Sequence, residues 1–204
     1  TPTLARSIAR LDADAGIAVT ASHNPPADNG LKLWTPSGQA FDTDRRERIT
    51  EIIEREAYEY AAWDGSGERR TDDEADAAHA AAIREAVSDD AAAAIDGLDI
   101  VVDVGNGVGS VTADALVEFG ASVTTLNAQP DGSFPGRPSE PTAETLTALC
   151  GQVGGTDADL GIAHDGDADR MMAVDETGRF VPKDVLLALF ARRAVADAGG
   201  GVVA

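Results

Sequence analysis

The sequence predicts an α/β fold of two α/β units, with mixed, mostly parallel sheets flanked by helices. Short apolar runs of three to five residues alternate with longer amphipathic runs, which is typical of alternating strands and helices. Near the middle of the chain, a strand at 100–102 is followed directly by a helix at 110–119 and a strand at 122–126. Such a strand–helix–strand unit usually belongs to a parallel sheet.

The first half of the chain contains three predicted helices and two short strands. Pro25, Pro26 and Gly30 interrupt regular structure, so they predict an open loop between the strands. Thr71 and Glu74 have the spacing of a capping box, which predicts a helix start there. In chain order, these elements are a helix at 3–12, strands at 17–20 and 31–34, and helices at 44–60 and 71–94.

A second unit is predicted to start near Gly97. Gly120 ends the helix after the first strand, because glycine is the residue that most often follows a helix C-terminus. Four prolines and two glycines in 129–141 predict a long loop. The remaining predicted elements are a helix at 143–153, a strand at 160–163, a hairpin of 171–174 with 180–181, a helix at 184–197 and the opening of a strand in 199–204.

The charge balance is strongly acidic. Asp and Glu number 36 against 16 Lys and Arg, which gives a net charge of -20. Such a field repels nucleic acid and anionic membranes, so neither is expected as a partner. It also repels phosphorylated substrates, so a phosphate site must gather positive charge locally. The composition favours a solvated surface suited to high salt, as in halophilic proteins.

Cysteine content and hydropathy indicate the cellular compartment in which the protein is expected. Cys150 is the single cysteine, which excludes an intramolecular disulfide and favours a reducing, cytoplasmic compartment. No apolar stretch approaches the 20 residues of a membrane-spanning helix. The sequence opens at Thr1 without methionine, as if inside a domain. Nothing in the sequence indicates an oligomeric state.

A candidate nucleophile lies in the segment Thr20–Pro26, which reads TASHNPP. A serine hydroxyl needs a base or a positive site to become reactive, and His23 follows Ser22 directly. Lys32, one of two lysines, lies in the strand that returns from this loop. On its own the segment could equally be a turn, since Ser, Asn and Pro are common turn residues.

A candidate metal site lies in the segment DGDADR, where Asp165, Asp167 and Asp169 alternate and Arg170 follows. An extended chain would place all three carboxylates on one side. Two like charges 4 Å apart repel by about 4 kcal/mol at an effective dielectric constant near 20, so a cation is expected. Oxygen ligands suit Mg²⁺ or Ca²⁺, and Mg²⁺ often combines few carboxylates with a phosphate.

Three other interpretations of this acidic segment remain open at the level of sequence. With Glu176 the aspartates match EF-hand loop positions, but Arg170 stands where that loop needs glycine, and the flanks read as strands. Asp165 could instead be the nucleophile of an aspartyl-phosphate enzyme. The segment could also be a solvated acidic turn. The glycine-rich segment at 105–109 departs from the dinucleotide fingerprint at Ser110, so it is interpreted as a structural turn and no cofactor-binding residue is assigned.

Together these segments resemble the phosphohexomutases, the phosphoglucomutase/phosphomannomutase superfamily. The serine segment, together with Asp28–Lys32 after it, resembles the phosphoserine loop of that family. The segment Asp165–Arg170 resembles its metal-binding loop. The segments 101–109 and 130–135 resemble parts of its second domain. The matches occur in the right order along almost the whole chain.

The resemblance implies a reversible 1-to-6 phosphoryl shift on a hexose phosphate, an isomerase reaction that passes through a hexose 1,6-bisphosphate. Ser22 would carry the phosphoryl group and, with Asp165, Asp167 and Asp169, contact one Mg²⁺. Lys32 would be the general acid/base, while His23 and Arg170 would steady the phosphate. Glucose, mannose and glucosamine phosphates are all compatible with these residues.

The resemblance also implies a domain division. Residues 1–94 correspond to the later part of domain 1, residues 95–177 to domain 2, and residues 178–204 to the start of a truncated third domain. The loops that recognise the sugar and its phosphate in the family lie in domains 3 and 4, outside this pattern. The chain is therefore expected to be inactive or weak alone. The alternatives are a non-catalytic module that binds divalent ions and a phosphatase-like enzyme that uses Asp165.

Overall fold

The computed structural model describes residues 1–197 and 199, which form two compact units. The first unit comprises Thr1–Val19 and Gly30–His79. The second comprises Thr20–Asn29 and the chain from Ala80 onward. The loop that carries Ser22 therefore belongs to the second unit, although the strands on either side of it belong to the first.

The first unit is built on a two-stranded antiparallel hairpin, in which Gly16 pairs with Trp34 and Val19 with Leu31. Ile8 on the first helix is buried, and its side chain occupies the space where a Cβ on Gly16 would lie. This close approach packs the helix onto the hairpin. The elements of the first unit are α1 (Pro2–Arg10), β1 (Gly16–Val19), β2 (Leu31–Trp34), α2 (Thr43–Glu54) and the start of α3 (Ala75–Ala86).

Helix α2 is shorter than predicted, because it ends at Glu54 and not at residue 60. Glu56 adopts φ 52°, its N–H donates to the Ile53 carbonyl, and the Ala57 N–H donates to the Ile52 carbonyl. These are the two hydrogen bonds of a Schellman C-cap, here with glutamate in the position that glycine usually takes. The sequence offered no glycine to mark this helix end.

The predicted helix at 71–94 is two helices, α3 (Ala75–Ala86) and α4 (Asp89–Ile95). The Ser88 hydroxyl accepts a hydrogen bond from the Ala91 N–H, so this serine starts α4 as its N-cap. The expected capping box does not form at 71–74, because the Asp72 side chain accepts the Glu74 N–H in a local turn.

A five-stranded mixed sheet with the order β4-β3-β5-β6-β7 forms the second unit. Strands β4, β3 and β5 are parallel to one another, and β5, β6 and β7 run antiparallel in sequence. Its elements after α4 are β3 (Asp99–Asp103), α5 (Ser110–Glu118), β4 (Ser122–Leu126), α6 (Thr147–Gly154), β5 (Leu160–His164), β6 (Met171–Val174), β7 (Phe180–Val181) and α7 (Lys183–Asp197).

Both faces of this sheet are covered by apolar side chains. On one face, Val101 packs with Leu149 and Val153 of α6. On the other, Ile100 and Val102 belong to a second cluster. Successive residues of β3 thus serve opposite cores, as expected for a strand buried on both sides.

The strand register determines where the site lies. Asp103 at the end of β3 pairs with Ala163 near the end of β5. Because the two strands are parallel, the loops that follow them leave the sheet at the same edge. One of these loops is the glycine-rich segment 104–109, and the other is the acidic segment Asp165–Arg170.

The remaining predicted elements differ only at their ends. Helix α6 starts at Thr147, four residues later than predicted, because Thr142 and Thr145 form a hydrogen-bonded turn before it. The strand opening expected in 199–204 lies largely outside the described residues. Among the described residues, no helix is both long and apolar enough to cross a membrane.

Candidate functional site

Ser22 lies in the loop between β1 and β2 in a strained backbone conformation. Its φ is 58°, in the left-handed region, and its N–H donates to the Thr20 hydroxyl at 2.9 Å. This region costs a residue with a side chain roughly 1–2 kcal/mol. Strained residues of this kind cluster at functional sites, where the surrounding structure holds them in place.

The Ser22 hydroxyl meets two carboxylates of the acidic segment. Its Oγ lies 3.2 Å from Asp165 Oδ2 and 3.0 Å from Asp167 Oδ1. A hydroxyl has one proton, so it can donate to only one of these carboxylates at a time. The structure therefore brings together the candidate nucleophile and the candidate metal ligands, which are separated by more than 140 residues in sequence.

The three aspartates converge through a tight turn. One carboxylate oxygen from each of Asp165, Asp167 and Asp169 lies within 4.8 Å of the others. Ala168 adopts φ 56°, its N–H donates to the Asp165 carbonyl, and the Arg170 N–H donates to Asp165 Oδ1. The extended geometry expected from the alternating pattern is thus wrong, although the convergence that it predicted occurs.

Electrostatics at this turn are unfavourable for three bare carboxylates. Asp165 and Asp167 are buried, whereas Asp169 is exposed. Burial raises the pKa of Asp165, the negative charges of Asp167 and Asp169 raise it further, and the hydrogen bond from the Arg170 N–H opposes both effects. A cation at this point would offset the repulsion.

The donor set fits a hard divalent cation. All the side-chain atoms that converge are oxygens, which suits Mg²⁺ or Ca²⁺ and disfavours metals that prefer nitrogen or sulfur. The three carboxylates could hold the ion, and the Ser22 oxygen lies beside them. The chain segments that flank the turn are strands β5 and β6, so the helices of an EF-hand are absent there.

The other predicted site residues are Arg170, His23 and Lys32. Arg170 follows the turn, and its guanidinium lies 3.9 Å from the Glu140 carboxylate. His23 is next to Ser22, and its Nδ1 is buried without a hydrogen-bond partner. Lys32 is half-buried on β2, opposite Ala18, and so belongs to the first unit.

The glycine-rich segment at 105–109 contacts the acidic turn directly. Its N–H groups at positions 105–108 donate to acceptors within the protein, and the Val108 N–H donates to the Gly166 carbonyl at 3.2 Å. A Cβ on Gly107 would lie 2.5 Å from the Gly166 oxygen, so only glycine fits there. These contacts agree with the interpretation of this segment as a structural turn.

Two buried groups near the site were not identified from the sequence. His164 bridges the acidic turn and α5: its Nδ1 lies 2.9 Å from the Arg170 carbonyl and its Nε2 lies 2.8 Å from the Thr112 hydroxyl. Because a carbonyl only accepts, Nδ1 carries the proton. Arg137 forms a buried ion pair with Asp103 at 2.7 Å. No local sequence pattern marks such long-range partners.

Replacing Gly166 by alanine is expected to disrupt the site. A Cβ at this position would lie 2.7 Å from the Ser22 carbonyl oxygen and 3.1 Å from the Phe134 ring. Because the obstacle includes backbone, the serine loop and the acidic turn must move apart. We expect Mg²⁺ affinity, measured by calorimetry, to fall by at least about tenfold, since displacements near 1 Å have large effects on such sites.

A matched control for this variant is Gly132→Ala. Gly132 lies in the same unit, and a Cβ there would have no neighbour within 4 Å. Equal Mg²⁺ affinity in the Gly166→Ala variant and in this control would show that the close approach of Ser22 and Gly166 does not matter for the metal site.

Comparison with known proteins agrees with this geometry. The family model for phosphoglucomutase/phosphomannomutase α/β/α domain I matches residues 1–60, and the model for α/β/α domain II matches residues 77–178. A protein from Methanopyrus kandleri named as a phosphoglucosamine mutase is 47% identical over the whole chain. One from Methanosarcina acetivorans with the same name is 46% identical over the whole chain.

Solved structures give the same result. A phosphoglucomutase/phosphomannomutase family protein from Burkholderia thailandensis superposes on 91% of the chain with a TM-score of 0.77 and 30% identity. A phosphomannomutase-type protein from Thermus thermophilus superposes on 95% with a TM-score of 0.79 and 25% identity. The chain spans 44% and 45% of the two archaeal relatives and 39% and 44% of these two structures. The family and the fold class predicted from the sequence are therefore confirmed, and the chain belongs to the phosphoglucomutase/phosphomannomutase family.

Proposed function

We propose that this chain is the phosphoserine-bearing and metal-binding part of a phosphohexomutase, with Ser22 as the residue that carries the phosphoryl group. The observation that supports this most directly is the position of Ser22 Oγ, 3.0 Å and 3.2 Å from two aspartates of an all-oxygen cluster. A phosphorylated serine and a divalent cation would each offset the charge of the other at this point.

The proposed reaction moves a phosphoryl group between two hydroxyls of one sugar. In the first half, the bond from phosphorus to Ser22 Oγ breaks and its electron pair stays on Ser22 Oγ, while a sugar hydroxyl oxygen bonds to the phosphorus and Lys32 accepts the hydroxyl proton. In the second half, Ser22 Oγ uses that electron pair to bond to the other phosphorus of the hexose 1,6-bisphosphate, the bond from this phosphorus to the sugar oxygen breaks, and Lys32 gives the proton to that oxygen. A bound Mg²⁺ would neutralise charge on the transferring group.

The protein residues have separate tasks in this scheme. Asp165, Asp167 and Asp169 would hold the cation, and the left-handed backbone at Ser22 would keep its oxygen directed at them. His23 and Arg170 would steady the phosphate, and Arg170, Lys32 and a bound Mg²⁺ would supply positive charge in a chain whose net charge is -20. Phosphoryl transfer depends mainly on such positioning and charge neutralisation.

The names of the archaeal relatives make glucosamine phosphate the first substrate to test. Because the chain spans less than half the length of those relatives, the residues that choose the sugar are expected outside it. We expect little or no mutase turnover from the 204 residues alone.

Intact-mass analysis with phosphopeptide mapping tests the proposal. We expect acid-stable phosphate on the peptide that contains Ser22. Phosphate on Asp165 with the lability of an acyl phosphate would favour the phosphatase-like alternative. The absence of phosphoserine together with retained cation binding would favour a non-catalytic metal-binding module.

The Asp167→Asn variant is expected to weaken Mg²⁺ binding by at least about tenfold in calorimetry, because it removes a buried anionic ligand. Asp175→Asn is the matched control. It neutralises an aspartate in the same unit whose carboxylate accepts hydrogen bonds from Thr177 and Arg179 in the β6–β7 turn. Unchanged Mg²⁺ binding in the Asp167 variant would remove this residue from the metal site.

We also propose that the acidic surface is an adaptation to high salt. Self-repulsion among the carboxylates destabilises the compact state, and salt screens this repulsion. The midpoint of thermal unfolding is therefore expected to rise from low to molar KCl. A midpoint that stays constant or falls would contradict the halophilic interpretation.

A further inference from the structure

The Arg137 guanidinium is enclosed by protein acceptors. Its side chain is 4% exposed, and its Nε donates to Asp103 Oδ2 at 2.7 Å. The other contacts are to backbone carbonyls, at 2.6 Å for His164, 3.0 Å for Pro138, 3.3 Å for Ser139 and 3.4 Å for Asp103. A guanidinium has five N–H groups, and five acceptors surround this one. Arginine therefore has a defined orientation here that no other side chain can reproduce.

One of these acceptors connects Arg137 to the candidate metal site. The His164 carbonyl immediately precedes Asp165, so its hydrogen bond to Arg137 fixes the point at which the acidic turn leaves β5. The Asp103 carboxylate holds the guanidinium from the end of β3, and Asn127 donates a hydrogen bond to the same carboxylate at 2.9 Å.

Two residues later, the same segment reaches the serine loop. Ser139 is 3% exposed, and its hydroxyl donates to the Asn24 carbonyl at 3.0 Å. Asn24 lies two residues after Ser22. Its own N–H donates to the Ala21 carbonyl, which closes a turn around the serine. Within the second unit, the three residues from Arg137 to Ser139 therefore contact both halves of the site.

We propose that residues 137–139 are a positioning element for the phosphoserine site. Arg137 orients the start of the acidic turn, and Ser139 holds the serine loop so that Ser22 Oγ stays beside Asp165 and Asp167. Neither residue contacts the reacting atoms. The effect of this positioning on catalysis rests on the proposed function. Whether Ser139 restrains the serine loop can be measured even if that function is wrong.

Hydrogen–deuterium exchange on the 204-residue chain tests whether Ser139 restrains the serine loop. In Ser139→Ala, the Asn24 carbonyl loses its partner, and we expect exchange in peptides from 20–29 to become at least about threefold faster. Exchange in β3 and β5 should not change. Ser88→Ala, which removes the N-cap of α4 in the same unit, is the matched control and should leave 20–29 unchanged. Unchanged exchange of 20–29 in Ser139→Ala would overturn the proposal.

A double-mutant cycle with Mg²⁺ separates positioning from simple structural support. We expect Ser139→Ala to weaken Mg²⁺ binding roughly three- to tenfold when Ser22 is present and to have no effect in the Ser22→Ala background. An equal loss in both backgrounds would show a general structural role and overturn the proposal. If the parent chain binds no Mg²⁺, the proposed function fails instead, and the exchange measurement decides the positioning role.

Discussion

Replacing Ser22 by alanine is expected to abolish phosphorylation of this chain and, in a mutase that contains it, to lower the mutase rate by at least about 10⁴-fold. In the proposed scheme, the Ser22 hydroxyl oxygen is the atom that forms and breaks the bond to phosphorus during turnover. The aspartates around it are two buried carboxylates and one exposed carboxylate, and the two buried ones are both directed at Ser22 Oγ. The measurement is the rate with a hexose 1-phosphate, with phosphopeptide mapping of the same sample.

The backbone at Ser22 provides the control for this variant. A residue with φ 58° is strained unless it is glycine, so alanine keeps the strain while glycine relieves it. Ser22→Gly should therefore fold at least as well as the parent protein and be equally inactive. If the glycine variant recovered activity that the alanine variant had lost, the loss would reflect folding and not the hydroxyl. Substantial activity in both variants would contradict the assignment of Ser22.

Much of the fold could be predicted because its signals are local. The β3–α5–β4 unit is formed by one continuous stretch of sequence. Apolar runs mark its strands, and Gly120 marks the end of its helix. One error occurred where the deciding interaction has no sequence signature, because Glu56 closes α2 in a position where glycine is usual. The other break is marked in the sequence, since Ser88 followed by Asp89 and Asp90 is a typical helix start within an alanine-rich segment that otherwise favours one long helix.

The same distinction applies to the site. The residue types at Ser22 and Asp165–Asp169 indicate a nucleophile and a cation site directly. The two segments could therefore be identified from the sequence, without knowing that they are in contact. Their convergence depends on Ala168 in the left-handed conformation and on two glycines, Gly107 and Gly166, that allow backbone to approach backbone. Arg137 could not be found in this way, because its partners Asp103 and His164 are about 30 residues away in either direction.

Replacing Arg137 by methionine is expected to produce the largest loss of stability among these variants. The change leaves the Asp103 carboxylate, which is 1% exposed, with hydrogen bonds from Asn127 and the Gly105 N–H but without its cationic partner. Breaking a buried ion pair in this way typically costs about 3–5 kcal/mol, because an uncompensated charge remains inside the protein. The buried carbonyls of Ser139 and His164 lose donors as well.

The unfolding of the second unit must be followed with a suitable probe. Both tryptophans, Trp34 and Trp63, belong to the first unit, so their fluorescence does not report on this change directly. Far-UV circular dichroism during urea unfolding reports on all the helices and strands, and most of those in the described residues belong to the second unit. We expect the midpoint of its transition to fall markedly in Arg137→Met.

Two further variants identify the cause of this expected loss. In the double variant Asp103→Asn with Arg137→Met, no buried charge is left unpaired, so part of the lost free energy of unfolding should return. Arg84→Met removes an arginine from an exposed pair with Glu118 in the same unit, where side-chain exposures are 49% and 43%, and should cost less than about 1 kcal/mol. If Arg137→Met were no more destabilising than Arg84→Met, the buried pair could not be what holds the ends of β3 and β5 together. The positioning of the acidic turn would then have to depend on the glycine contacts alone.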